Sequence, residues 1–241
     1  MTLLLLIAVP MTAAQAQVET ECAGLDSSGG VGPWDYSDPA NHRPSGDAPK
    51  GRAKLVENVH FKPAMRDLNT KKYSPARLSG EFRYTLGIFP NHYVALNSLS
   101  KLEKHYGGRP AEGYKESAPL KLLADCYFQR AMLFKPDDAR VHVVHGIHLH
   151  DRGRFSEAIK AYETAESLGE ASIMFAYNFG LVLADAKQYD RALEYAQRAY
   201  GGGYPLPGLA RKLEAAGYRI AVPAPARAAP TPVAPDDADA Q

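Results

Sequence analysis

Eight histidines occur in the 241-residue chain, and four of them crowd together as His142, His145, His148 and His150. Imidazoles three apart on one helix turn can share a metal ion, so this run is the first place to look for chemistry. The remainder of a metal site is missing: no His-Glu-x-x-His, no cysteine pair and no carboxylate at ligand spacing accompanies the run, and His60, His92 and His105 lie far off in sequence. His142, His145 and His148 spread over a wide helical arc, which predicts packed or surface imidazoles and no metal site. Nucleophile motifs are missing as well. There is no Gly-x-Ser-x-Gly elbow, and Gly201-Gly202-Gly203 is followed by Tyr-Pro and not by Lys-Ser/Thr, so it ends a helix and cradles no phosphate. Asp35, Asp38 and Glu57 are carboxylates whose mutual distance nothing in the sequence fixes, and Asp137-Asp138 suits the capping of a helix start. No catalytic residue, metal or cofactor is predicted.

The elements that would hold these side chains follow from a period. Gly146 and Gly180, Ala158 and Ala192, and Ala165 and Ala199 each stand thirty-four residues apart. Where two antiparallel helices cross closely, only Gly or Ala lets the backbones approach. Ala158 and Ala165, seven apart, share one helix face. Phe155, Tyr189, Leu149 and Leu183 fill the rest of the seams. His142 and His145 take the register positions of Ala176 and Phe179, which pack within the unit. An earlier copy shows a second helix only, with Ala124, Phe128, Ala131 and a terminating Pro136.

This register resembles the tetratricopeptide family, whose 34-residue helix–turn–helix units stack as a solenoid. The resemblance covers Pro119 to Tyr204. It departs from the family in lacking the first-helix Trp and in placing Glu170 and Tyr204 where a terminal Pro is usual. The resemblance implies an all-α helical solenoid with an irregular N-terminal strap. The clearest repeats are expected at 119–136, 139–170 and 173–204, with a capping helix at 206–217, inside a helical domain at 51–217. Upstream, Leu78 to Phe89 and Asn91 to His105 form a fainter helix pair. Leu55, Val56, Val59, Met65 and Leu68 mark a helix interrupted at Pro63, and Tyr106 to Ala118 is a Gly/Pro-rich insertion. Residues 218–241 are too rich in Pro and Ala to fold and are expected to form a disordered tail.

At the N-terminus, Leu3 to Val9 is a short apolar run followed by Ala14-Gln15-Ala16, the pattern of a secretory signal over residues 1–16. The run falls short of the roughly 20 residues a membrane-spanning helix needs. A periplasmic or secreted chain is therefore expected, with no membrane span. In that compartment the two cysteines, Cys22 and Cys126, are expected to form one disulfide. Charge is balanced, with 28 Lys and Arg against 27 Asp and Glu, and gives no pull toward nucleic acid. Residues 17–50 form an extended Gly/Pro-rich strap in which Trp34 and Tyr36 are expected to dock on the helices. With the stretches around Leu55 to Pro63 and Tyr84 to Leu96, the strap resembles that of a group of exported bacterial tetratricopeptide proteins. That likeness implies a shared architecture, including a Cys near the mature start, and no activity.

In the tetratricopeptide family the concave groove is lined by first-helix positions. Here they fall on Arg140, Val143, Ile147, His150 and Asp151, then on Met174, Tyr177, Leu181 and Asp185. Units that grip acidic chaperone tails carry Lys and Asn at the positions held here by Val143/Tyr177 and Ile147/Leu181, so that clamp is excluded. An apolar centre with a polar rim suits an apolar peptide or amphipathic helix. The expected function is an adaptor for a protein or peptide partner in the cell envelope. One alternative is a structural subunit of an envelope assembly with its groove self-occupied; another is a His-dependent metal-binding protein or enzyme.

Overall fold

The computed structural model describes Cys22, residues 31–106 and residues 124–222. The signal segment, most of residues 17–30, the bulk of the Tyr106–Ala118 insertion, the start of the 119–136 repeat and most of the tail lie outside them. Among the described residues the fold is all-helical, with no strand beyond an isolated bridge between Ser45 and Ala48. No described helix is long and apolar enough to cross a membrane. The chain divides at Glu170/Ala171 into two compact units.

In the first unit the strap makes a 3-10 turn at Pro39–His42, where Asp38 accepts from the Ala40 amide (2.8 Å), before entering the helices. These are α1 (Arg52–His60), α2 (Pro63–Arg66), α3 (Pro75–Ile88), α4 (Tyr93–Tyr106), α5 (Ala124–Phe134), α6 (Ala139–His150) and α7 (Phe155–Ser167). The interrupted apolar pattern of Leu55 to Leu68 is explained by two helices: α1 ends at His60, and Pro63 starts α2, where its missing N–H costs nothing. α3 starts three residues ahead of the apolar pattern because Ser74 caps it, accepting from the Arg77 amide, with Pro75 at the first position. Of the pair Asp137-Asp138, only Asp138 caps α6, through the Arg140 amide at 3.1 Å; Asp137 pairs with Lys135. Phe82, Leu86, Leu96, Leu99, Phe128, Ala131, Val141 and Val144 form the core that joins α3 to α6.

Packing between α6 and α7 depends on Gly146. A Cβ there would stand 2.6 Å from Tyr162 Cε2, well inside contact distance, and Tyr162 is fully buried. Ala158 and Ala165 on α7, and Ala124 and Ala131 on α5, are fully buried as well.

The second unit contains α8 (Ile173–Asp185), α9 (Tyr189–Gly201) and α10 (Gly208–Ala215). Ser172 caps α8 by accepting from the Phe175 amide. Phe175, Phe179, Ala192, Ala199, Leu209 and Leu213 are all fully buried. Gly180 sits in the same register position as Gly146, but its nearest neighbour is Leu209 of α10, 2.5 Å from an added Cβ. Tyr200 fixes the approach to α10: its hydroxyl donates to the Leu206 carbonyl (3.0 Å) and accepts from the Ala210 amide (2.9 Å). α10 starts at Gly208, inside the expected 206–217 span, and leaves Leu206 exposed. α3 packs on α4, α6 on α7 and α8 on α9 as helical hairpins.

Candidate functional site

The expected groove residues fall on two helices, one in each unit. On α6, Arg140 is exposed and holds its guanidinium 5.4 Å above the Tyr93 ring, while Val143 is buried and Ile147 half-buried one turn on. His150 lies 5.8 Å from the Phe155 ring, and Asp151 pairs with Lys104 of α4 at 2.9 Å. On α8, Met174 is 54% exposed and Leu181, two turns along the same face, is half-buried. Tyr177 between them is buried. Tyr204 stacks on its ring (4.2 Å between centroids), Tyr200 meets it edge-on, and its hydroxyl lies under Gly208. Asp185 pairs with Lys212 of α10. The rim charges named in the sequence thus have partners inside their own units.

The strap docks on the first unit through both of its aromatics. The Trp34 amide donates to the Ile88 carbonyl (2.8 Å), and its ring lies between Phe89 and the Arg52 guanidinium. Tyr36 stacks on His92 (3.9 Å), meets Phe89 and Tyr93 edge-on, and donates its hydroxyl to Glu57 Oε1 at 2.7 Å. Burial and that carboxylate push the Tyr36 phenol above its ordinary range. His92 is almost wholly buried, which lowers its pKa, and its Nδ1 accepts from the Ala95 amide at the start of α4. His92 Nε2 lies 3.4 Å from Glu57 Oε1 without the alignment of a hydrogen bond, so that contact is electrostatic. The imidazole and the Tyr36 hydroxyl hold the Glu57 carboxyl below its ordinary value against the opposing effect of burial.

Underneath lies a polar junction that sequence reasoning missed. Asn91 is fully buried and donates its amide to both Asp35 Oδ1 (2.7 Å) and Asp138 Oδ2 (2.8 Å), while its own oxygen accepts from the Tyr36 amide (2.8 Å). Burial raises the Asp35 pKa, but hydrogen bonds from Ser37 and Asn91 outweigh it and the net direction is downward. Of the three unplaced carboxylates, Asp35 and Glu57 therefore flank the docked Tyr36, and Asp38 only caps the 3-10 turn. The disulfide joins Cys22 to Cys126 on α5, with 5.2 Å between Cα atoms.

The histidine run resolves into separate contacts. His142 Nε2 bonds to the Pro136 carbonyl at 2.8 Å. His145 and His148 both pack on Phe128, and burial lowers the His145 pKa to about 4. His148 lies between Ser100 Oγ on Nδ1 (2.9 Å) and Asp125 Oδ1 on Nε2 (3.2 Å). That is a Ser–His–Asp order, but Ser100 is only 3% exposed and is also contacted by Arg152, so its oxygen is not presented to a substrate. The chain of bonds ties α4, α5 and α6 together. Among the described residues, no three His, Cys, Asp or Glu side chains gather as a metal would require.

No protein-family model matches this chain, and no curated protein sequence matches it. Among solved structures, one described as the functional characterization of Pseudomonas aeruginosa pilF is 20% identical, covers 67% of this chain and 68% of its own, and superposes with a TM-score of 0.48.

Proposed function

We propose that the chain is an exported, non-catalytic scaffold that takes a protein or peptide partner in the cell envelope, holding an apolar segment against the first-helix faces of its hairpins. Met174 carries this proposal. A large apolar side chain left 54% exposed on a first helix, in line with half-buried Leu181, offers contact surface to a partner. Ile147 on α6 offers a similar half-buried apolar group. Export is supported by the N-terminal apolar run ahead of Ala-Gln-Ala and by the Cys22–Cys126 bond, which belongs in an oxidising compartment.

The test is capture of partners from envelope extract by the chain and by Ile147→Glu and Met174→Glu variants that keep wild-type circular dichroism. A partner lost with the variants supports the scaffold; identical capture by all three proteins refutes it. The burial of Val143 and of Tyr177 beneath Tyr204 favours a second reading, a structural subunit whose groove is filled from within. Obligate co-purification with a single complex would select it.

A further inference from the structure

Beside the docked strap the first unit contains a cleft of about 300 Å³, between α1, the turn into α2 and the start of α4. Lys54, Lys62 and Arg66 stand around it, and Phe61, Pro63 and Val94 supply an apolar lining. Lys54 and Lys62 are both exposed and form no ion pair or hydrogen bond among the described residues, while Arg66 pairs only with its exposed neighbour Asp67. The single acid in the wall is Glu57, whose Oε1 is engaged by the Tyr36 hydroxyl and faces His92. With Arg66 offset by Asp67, Lys54 and Lys62 face the one engaged carboxylate of Glu57, which Lys54 helps to hold ionised, and the cleft keeps a positive balance. Tyr36 is itself part of the wall, so the site is complete only when the strap is docked.

The geometry points to this cleft as a binding site for a carboxylate carried on a small apolar body, with the acid held by Lys54 and Lys62 and the body lying against Phe61 and Val94. A pocket of this size, apolar with a few convergent charged groups, has the make-up of a small-ligand site. The same chemistry is offered by a free organic acid and by the C-terminal residue of a peptide. The site is distinct from the first-helix faces, and its failure leaves the scaffold proposal untouched.

The experiment follows backbone amide shifts of the full chain by NMR during titration with three probes: N-acetyl-leucine, its carboxamide, and a hexapeptide ending in leucine. N-acetyl-leucine is expected to saturate shifts around Lys54, Asn58 and Val94 with Kd on the order of 1 mM. The carboxamide is expected to bind about tenfold more weakly or worse, and Lys54→Ala/Lys62→Ala to cost the acid a similar factor, with the fold intact because both side chains are exposed. A Tyr36→Ala chain is expected to lose the same shifts. Tighter binding of the hexapeptide would support a peptide terminus as ligand, and preference for the free acid would support a small organic acid. Equal binding of acid and amide, unchanged binding by the double variant, or no saturable shift would overturn the proposal.

Discussion

Acidification should weaken the first unit through His145, and the size of the effect follows from its position. Burial against Phe128 lowers the folded-state pKa of this imidazole from 6.5 to about 4. The unfolded chain therefore binds the proton more readily, and stability falls as pH drops below 6.5 toward 4. Between pH 7.5 and pH 5 the linkage amounts to about 2 kcal/mol from this residue alone. The variant that isolates it is His145→Phe, since Phe179 occupies the matching position of the next hairpin. Urea unfolding at pH 7.5, 6 and 5, followed by emission of the sole tryptophan, Trp34, which lies in the same unit, gives the free energy at each pH. A tighter or looser core in the variant would move all three values together, so only the slope reports His145. The wild type should lose about 2 kcal/mol more than His145→Phe over that range. Parallel pH profiles would refute the argument and place a neutral His145 outside the energetics of the fold.

Gly146→Ala should destabilise by about 1–3 kcal/mol, because the new methyl meets the ring of buried Tyr162 and helix propensity returns only about 1 kcal/mol. Gly180→Ala should cost less in a urea titration followed by circular dichroism, since its neighbour is the terminal methyl of Leu209. Asn91→Ala should cost about 2–3 kcal/mol and expose residues 31–50 to limited proteolysis, as Asp35 and Asp138 lose the amide between them. Protection equal to wild type would refute a role for that junction in holding the strap. Reduction of Cys22–Cys126, which closes a separation of 104 residues, should remove about 4–5 kcal/mol on the chain-entropy model and lower the melting temperature accordingly.

The helices were legible where small residues recur: Ala158, Ala165, Ala192 and Ala199 are buried at the positions the period marks, because backbone approach tolerates nothing larger. The strap aromatics stood out by composition. What they dock on did not, since Asn91 acts through partners 56 and 47 residues away and carries no local pattern of its own. Tyr177 shows the same limit from the other side. Its position on the first helix is plain from the register, but the ring that covers it comes from Tyr204, in the loop after the next helix. Periodicity reports which face a residue takes and is silent on which loop returns to cover it.

The Asn91 junction also orders events in time. Asp35 leaves the ribosome long before Asn91, and Asp138, which shares the same amide, follows 47 residues after that. Without the start of α6 the strap has only part of its anchor. The full anchor of Asp35 therefore needs the start of α6: one amide side chain ties the strap, the α3–α4 turn and the α6 cap together, so the strap is secured by residues made more than a hundred positions after it.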